Sequence, residues 1–222
     1  MRELEFKKRE AQSGTTKNVV IFLHGYGADG ADLLGLADPL APHMPGTAFY
    51  APDAPERPAG MPMGRQWFSI PWIDGSSEEE SAAGLERAAE DLNAFLDKVI
   101  ADEGITASEV VLLGFSQGTM MALHVGPRRQ YKLAGIVGFS GRLLQPERLE
   151  ADFQTRPPVL LIHGDQDDVV PPQSLNEAAE GLQTAGFDVY SHIMKGTAHG
   201  IAPDGLSVAL TFMREMLGQG EN

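Results

Sequence analysis

The amino-acid sequence predicts an α/β fold in which a mostly parallel, twisted sheet carries helices on both faces. Short apolar runs alternate along the chain with stretches of helical spacing, as in parallel sheets joined by helical crossovers. One apolar run, at residues 110–113, breaks at a glycine-serine turn before a helical pattern resumes. Polar residues of catalytic type follow the predicted strands, where such sheets collect their functional groups.

The composition is that of an ordinary globular protein. The 222 residues, 42% hydrophobic and 22% charged, fit one domain over residues 1–222. The net charge of -14 argues against nucleic acid or an anionic membrane surface as a partner, because either would be repelled. There is no cysteine, which excludes disulfides and a cysteine nucleophile. The opening MRELEFKKRE lacks the apolar core of a signal peptide, so we expect a cytoplasmic protein with no stable membrane anchor.

The first half of the chain opens with an alternating pattern at Leu4 and Phe6, which predicts a half-buried edge strand. Residues 19–23 form an apolar strand that ends in the loop HGYGADG, before leucines at helical spacing in 33–40. Another short strand is predicted at residues 47–51.

The connection at about residues 52–75 is rich in proline, methionine and aromatic residues. So long a connection in a compact domain is more often functional than idle, so it is either a lid or binding loop or a roof over the core. A capping box of Ser77 and Glu80 then predicts the start of a long amphipathic helix that ends at Gly104.

The second half continues the alternation of strands and helices. The helix after the serine turn is expected to stop at Gly126 and Pro127. Further strands are predicted at 133–139, 158–162 and 187–194, and further helices at 172–182 and 206–217.

The pattern GFSQG at residues 114–118 predicts a cramped strand-to-helix turn that exposes the Ser116 hydroxyl, because its glycines leave room for the turn. The alternative is a serine in an ordinary turn. A second serine, Ser140 in GFSGR, lacks the closing glycine and leads into a predicted loop, so it is set aside as a nucleophile.

A serine nucleophile needs a base, and an imidazole oriented by a carboxylate serves that purpose. Along this chain Ser116 is followed by an acidic cluster and then by His199 in a glycine-flanked loop, the order of the α/β-hydrolase arrangement. Spacing does not choose among Asp165, Asp167 and Asp168. Metal binding by this acidic run is the rival interpretation, although it lacks the calcium-loop pattern.

The oxyanion formed during acyl transfer needs backbone N–H donors aimed at it. The sequence offers the N–H of Gln117, directly after the serine, and one from the glycine loop after residues 19–23, which we assign to Tyr26.

Six motifs in order, between about residues 19 and 199, resemble the phospholipase/carboxylesterase family of α/β hydrolases, which contains bacterial carboxylesterases, lysophospholipases and acyl-protein thioesterases. They are FLHGYGADG, the pair Trp67-Phe68, LLGFSQGTMMAL, LAGIVGFSG, HGDQDDVVP and GTAHG. The resemblance implies the α/β-hydrolase fold and a catalytic triad that needs no cofactor or metal.

The same resemblance resolves the acid. The family pattern HGDxDxxVP places the catalytic aspartate at Asp167, and the next residue occupies a variable position. By the same matching Ser116 is the nucleophile, His199 is the base, and the N–H groups of Tyr26 and Gln117 fall on the oxyanion hole.

Two departures from the family pattern bear on the substrate. Ser69 stands where the family often has aspartate after Trp-Phe, and Gly200 stands where serine or cysteine usually follows the catalytic histidine. Both leave the triad intact.

These observations predict a serine carboxylesterase that hydrolyses short- to medium-chain acyl esters through an acyl-enzyme. Lysophospholipase or acyl-protein thioesterase activity with the same triad is the alternative, and a non-catalytic binding protein on this fold is the remote one. A homodimer stays open, because family members are sometimes dimers. Five apolar side chains are expected to line or cover the acyl site: Met61, Met63, Trp67, Phe68 and Trp72.

Overall fold

A computed structural model describes residues 1–61 and 63–219. The strands are β1 (Phe6–Arg9), β2 (Asn18–Leu23), β3 (Thr47–Pro52), β4 (Val110–Phe115), β5 (Gly135–Phe139), β6 (Val159–Gly164) and β7 (Val189–Met194). The α-helices are α1 (Gly30–Leu34), α2 (Ala37–Leu40), α3 (Pro71–Asp74), α4 (Glu78–Glu103), α5 (Gln117–Arg128), α6 (Pro146–Asp152), α7 (Gln173–Thr184) and α8 (Pro203–Met216).

The seven strands form one sheet in the order β1-β3-β2-β4-β5-β6-β7. Strand β1 runs antiparallel to β3, and every other neighbouring pair is parallel. The mostly parallel sheet predicted from the sequence is therefore confirmed. Because the parallel strands point the same way, the loops that follow β2, β4, β6 and β7 all emerge at one end of the sheet.

Apolar side chains cover both faces of the sheet, and they alternate between the faces along β2, β3, β4 and β6. In β2, Ile21 faces the layer of α4, α5 and α7, whereas Phe22 faces the layer of α1, α2 and α8. Leu96 of α4 and Phe212 of α8 represent the two layers. Burial on both faces is what makes these strands continuous apolar runs in the sequence.

The long helix α4 begins and ends where its capping signals predict. The Ser77 hydroxyl accepts a hydrogen bond from the Glu80 N–H at 3.1 Å, and the Glu80 carboxylate accepts one from the Ser77 N–H at 2.9 Å. At the other end Gly104 takes a left-handed conformation with φ of +65°. No helix within the described residues is long and apolar enough to span a bilayer.

One helix prediction is wrong in detail. Helix α5 continues through Gly126 and Pro127 to Arg128. A Cβ atom on Gly126 would lie 2.5 Å from Cδ1 of Ile136, so this glycine lets the helix approach β5 and does not end it. The leucine pattern of residues 33–40 is helical, as predicted, and is divided between the two short helices α1 and α2.

Candidate active site

Ser116 lies at the sharp turn between β4 and α5. Its φ of +53° is unusual for a residue with a side chain and is held by two backbone hydrogen bonds. The Ser116 N–H donates to the Phe139 carbonyl at 2.8 Å, and the Ser116 carbonyl accepts from the Met120 N–H at 3.2 Å. The sequence forms the strand, turn and helix predicted for it, and the Ser116 side chain is half-buried at the carboxyl end of the sheet.

The two glycines of GFSQG are required by close backbone contacts. A Cβ atom on Gly114 would lie 2.4 Å from the backbone of Gly118. One on Gly118 would lie 1.8 Å from the carbonyl oxygen of Leu23, at the end of β2. Both distances are far below van der Waals contact, so any larger residue would push α5 away from the sheet.

Asp167 is buried and orients His199. Its Oδ2 atom lies 2.8 Å from Nδ1 of His199, and its Oδ1 atom accepts hydrogen bonds from the N–H groups of Val169 and Val170, both at 2.9 Å. Burial alone would raise the pKa of the Asp167 carboxyl, but the hydrogen bonds from His199, Val170 and Val169 outweigh it and lower the pKa below its usual value. The carboxylate therefore stays ionised and accepts a hydrogen bond from Nδ1 of His199.

His163 supports the same carboxylate from a second side. Its Nε2 atom lies 2.9 Å from the Val170 carbonyl oxygen and 3.3 Å from Oδ2 of Asp167. The carbonyl can only accept, so Nε2 carries a proton. No sequence pattern indicates this contact, because His163 lies near the end of β6 and only the fold determines the course of the following loop that carries Asp167.

The three aspartates of the acidic run point to different partners. Asp165 accepts a hydrogen bond from the Gly196 N–H at 2.7 Å and so ties the loop after β6 to the loop that carries His199. Asp167 faces His199, and Asp168 is exposed. In residues 1–61 and 63–219, no group of three or more acidic or histidine side chains could hold a metal ion.

His199 lies next to the serine turn. Its ring centroid is 4.8 Å from that of Phe115, the residue before Ser116. Because the Asp167 carboxylate can only accept, Nδ1 of His199 donates to it, which leaves Nε2 as the basic nitrogen. The Ser116 hydroxyl itself makes no hydrogen bond to a described residue, and such bonds commonly tighten only when substrate binds.

The two predicted oxyanion donors belong to two backbone segments that adjoin Ser116. Tyr26 occupies a turn closed by the Ala28 N–H and the Gly25 carbonyl at 3.3 Å, with Gly27 at φ +78°. A Cβ atom on Gly25 would lie 3.4 Å from Cβ of Ser116, so this turn packs directly on the serine. Gln117 is the first residue of α5. Neither the Tyr26 N–H nor the Gln117 N–H donates a hydrogen bond within the described part of the chain.

The five side chains expected at an acyl site divide into two groups. Trp67 and Phe68 are 0% and 3% exposed and belong to the core. These buried side chains offer no surface to a ligand, which corrects the expectation for these two. Met61, Met63 and Trp72 are exposed.

Two of the exposed side chains have identifiable neighbours near Ser116. The Met61 sulfur lies 3.5 Å from the position of a Cβ on Gly27, beside the Tyr26 turn. The Trp72 ring lies 5.6 Å from the Arg142 guanidinium.

Comparison with known proteins gives a consistent result. The model of the phospholipase/carboxylesterase family matches residues 7–217. Acyl-protein thioesterase 1 of Gibberella zeae is 30% identical over 212 residues, which are 89% of this chain and 90% of that protein. Acyl-protein thioesterase 1 of Saccharomyces cerevisiae is 30% identical over 218 residues, 90% of this chain and 93% of that protein.

Among solved structures, that of esterase PE8 superposes with a TM-score of 0.92 and 42% identity, covering 97% of this chain and 100% of that one. A family model that spans almost the whole sequence and a solved esterase with the same fold lead to one conclusion: the chain belongs to the phospholipase/carboxylesterase family and is a carboxylic ester hydrolase.

Proposed function

We propose that this protein is a serine carboxylesterase in which Ser116 is the nucleophile, His199 the general base and Asp167 the residue that orients His199. The observation that carries the proposal is the 2.8 Å hydrogen bond between His199 and the buried Asp167, on a histidine whose ring packs beside the serine turn. Nucleophile, base and orienting acid are the three parts that serine acyl transfer requires.

In the first half of the reaction the Ser116 oxygen adds to the ester carbonyl carbon while Nε2 of His199 takes the hydroxyl proton. The carbonyl oxygen becomes an oxyanion, which the N–H groups of Tyr26 and Gln117 stabilise. The intermediate then expels the alkoxide, which receives the proton from His199. The products of this half are an alcohol and an acyl group bonded to Ser116.

In the second half water attacks the acyl carbon and His199 takes its proton. The second oxyanion occupies the same two N–H groups. When it collapses, the bond to Ser116 breaks, the serine regains its proton from His199 and the carboxylic acid leaves. Asp167 remains ionised throughout and stabilises the His199 cation.

Exposed apolar side chains beside the serine turn support the proposal that the substrate carries a short- to medium-chain acyl group. Met61 lies beside the oxyanion turn, and Trp72 lies against Arg142, which follows Gly141. A Cβ atom on Gly141 would be 2.9 Å from the Ser116 carbonyl oxygen, so this second group also borders the serine turn. We assign Met61, Trp72 and, at the outer rim, Met63 to contact with the acyl chain.

Hydrolysis of acyl-protein thioesters is the second candidate. It is favoured by the relatives named acyl-protein thioesterase 1, which match this chain over nearly all of its length. The same triad would cleave a thioester or a lysophospholipid, since the attacked group is an acyl carbon in each case.

A substrate panel distinguishes these functions. We would measure kcat/KM for p-nitrophenyl acetate, butyrate, octanoate and laurate, an S-acylated peptide and a lysophospholipid, with Ser116→Ala as the background. The proposal predicts the highest values for short or medium aryl esters. A higher kcat/KM for the S-acylated peptide would favour the thioesterase, and no hydrolysis of any substrate would contradict catalysis itself.

A further inference from the structure

The segment Arg65–Phe68, which we call the strap, contacts the Gln117 side chain and the residues that flank Tyr26 in the chain, Tyr26 and Gln117 being assigned to the oxyanion hole. At its N-terminal end the strap forms hydrogen bonds with Gly27 and Ala28, the two residues that follow Tyr26 in the turn. The Gly27 N–H donates to the Arg65 carbonyl, and the Arg65 N–H donates to the Ala28 carbonyl, both at 2.8 Å. The strap therefore fixes the backbone immediately after the Tyr26 N–H.

The approach of the strap to this turn is unusually close. The residue before the strap, Gly64, has φ of +91°, and a Cβ atom on it would lie 2.1 Å from the Gly27 carbonyl oxygen. Only glycine fits such a contact between two backbones. The turn and the strap are thus held against each other by backbone contacts.

At its other end the strap is held by the side chain of Gln117. Oε1 of Gln117 accepts from the Trp67 N–H at 2.9 Å, and Nε2 donates to the Phe68 carbonyl at 2.7 Å. Gln117 is 0% exposed. A carboxamide carries an acceptor oxygen and a donor nitrogen side by side. It therefore pairs with both the Trp67 N–H and the Phe68 carbonyl, and neither backbone group is left without a partner.

Trp67 adds a third connection, between the strap and the end of β2. Its indole Nε1–H donates to the His24 carbonyl at 3.0 Å, and its ring lies 5.6 Å from the His24 ring. The His24 ring in turn accepts from the Ala54 N–H at 2.9 Å through Nε2 and donates to the Gly25 carbonyl at 2.8 Å through Nδ1. These bonds fix the backbone immediately before Tyr26.

From these contacts we infer that the strap sets the spacing and direction of the two oxyanion N–H groups, with the Gln117 side chain and Trp67 as positioning residues. The inference rests on the proposed function. It also gives the buried Trp67 a role that differs from substrate contact: it holds one donor by its indole and the other through its backbone N–H. Because oxyanion stabilisation depends on donors already aimed at the developing charge, a loosened strap lowers the rate without removing any catalytic group.

The test compares Gln117→Met with Gln219→Met. The first keeps the backbone N–H and the length of the side chain but removes both bonds to the strap. Gln219 donates two hydrogen bonds from Nε2, to Asn18 at 2.9 Å and Thr47 at 3.1 Å, at the opposite end of the sheet. The same substitution therefore removes two amide hydrogen bonds in each variant, but only one variant touches the strap.

For Gln117→Met we expect kcat on p-nitrophenyl butyrate to fall about 10- to 100-fold, somewhat less than the loss of a whole oxyanion donor, with KM changed less than about threefold. The Ki of an alkyl trifluoromethyl ketone, whose carbonyl becomes an oxyanion when serine adds to it, should rise in proportion to KM/kcat. The Ki of the matching methyl ketone should stay near the wild-type value. Gln219→Met should leave all four quantities unchanged.

A Gln117→Met protein with wild-type kcat and wild-type trifluoromethyl ketone binding would overturn the inference, as would equal weakening of both ketones. If Gln117→Met does not fold, Trp67→Phe carries the test, because it keeps the Trp67 backbone N–H and an aromatic ring but removes the indole donor to His24. A several-fold loss of kcat in Trp67→Phe, with a higher Ki for the trifluoromethyl ketone and an unchanged Ki for the methyl ketone, would support the inference. An unchanged kcat would refute it. A wild type that hydrolyses no ester would instead refute the proposed function, which is a separate result.

Discussion

Ser116 and Ser140 each follow a glycine-phenylalanine pair at the carboxyl ends of the neighbouring parallel strands β4 and β5. The pairs lie side by side in the sheet, with Gly114 opposite Gly138 and Phe115 opposite Phe139. Both serines also have positive φ, +53° for Ser116 and +47° for Ser140. Neither the preceding glycine-phenylalanine pair nor the φ angle of the serine therefore separates the two.

Their surroundings differ in every respect that matters for reactivity. Ser116 is half-buried, begins a helix and has the His199 ring against its preceding phenylalanine. Ser140 is 0% exposed, and its hydroxyl has no hydrogen-bond partner within the described residues. The next residue, Gly141, packs against Thr119 at a distance that excludes a side chain. A strained serine turn thus becomes a candidate nucleophile only where a base and an opening to solvent accompany it.

The largest expected difference between the two turns is in activity. Replacing Ser116 by alanine removes the nucleophile and should lower kcat on p-nitrophenyl butyrate by about 10⁵- to 10⁶-fold. Ser140→Ala should keep most of the wild-type activity, because its hydroxyl is buried and makes no hydrogen bond to any described residue. A large loss of kcat in Ser140→Ala, in a protein that circular dichroism shows to be folded, would contradict this difference between the two serines.

The base that accompanies Ser116 depends on one carboxylate. Asp167→Asn should lower kcat by about 10⁴-fold, since an amide in contact with Nδ1 of His199 favours the wrong tautomer. Asp168→Asn, one residue away and exposed, should keep the activity. If Asp168→Asn were the inactive variant, the assignment of the acid would be wrong by one residue.

The lowered pKa of Asp167 also predicts a pH dependence of stability. A carboxyl whose pKa is lower in the folded than in the unfolded protein adds stability above the unfolded value of about 3.9, and this stability is lost as pH falls through the folded pKa. The free energy of unfolding of wild type should therefore decline, relative to Asp167→Asn, as pH falls below about 4. Urea denaturation over this range, with Asp168→Asn as the control for net charge, checks the sign. The prediction would be contradicted if the stability advantage of wild type over Asp167→Asn grew as the pH fell.

The smallest effect is expected for the stability of Ser140 variants. Removing a buried hydroxyl without a partner leaves no group unpaired, and Ser140→Gly also relieves the positive φ at the expense of greater chain entropy. Each variant should change the free energy of unfolding by less than about 1 kcal/mol in urea titrations. A loss above about 2 kcal/mol in Ser140→Ala would show that the hydroxyl has a partner after all.

The features that the sequence predicts correctly depend on residues that lie within a few positions of one another. The turn at Ser116 follows from the sterics of Gly114 and Gly118, and the start of α4 follows from Ser77 and Glu80. The exclusion of Ser140 also came from a local feature, its missing closing glycine. The choice of Asp167 needed the family resemblance, because only the fold determines which of three nearby carboxylates faces His199.

What the sequence did not predict depends on contacts between distant segments. Composition identified Trp67 and Phe68 as part of an important loop but could not tell whether they point outward or into the core. The Gln117 side chain forms hydrogen bonds with Trp67 and Phe68 of that loop, which are 50 and 49 residues away in the sequence. No local pattern encodes such a contact. Gly126 likewise resembled a helix stop, although its contact with Ile136 makes it a packing glycine.

Covalent labelling tests the central claim, that Ser116 and not Ser140 reacts, most directly. Wild-type protein, Ser116→Ala and Ser140→Ala would each be treated with an alkyl fluorophosphonate, and the modified peptide would be identified by mass spectrometry. The account predicts a single adduct on Ser116 in wild type and in Ser140→Ala, and none in Ser116→Ala. An adduct on Ser140, or an unlabelled wild type, would contradict it.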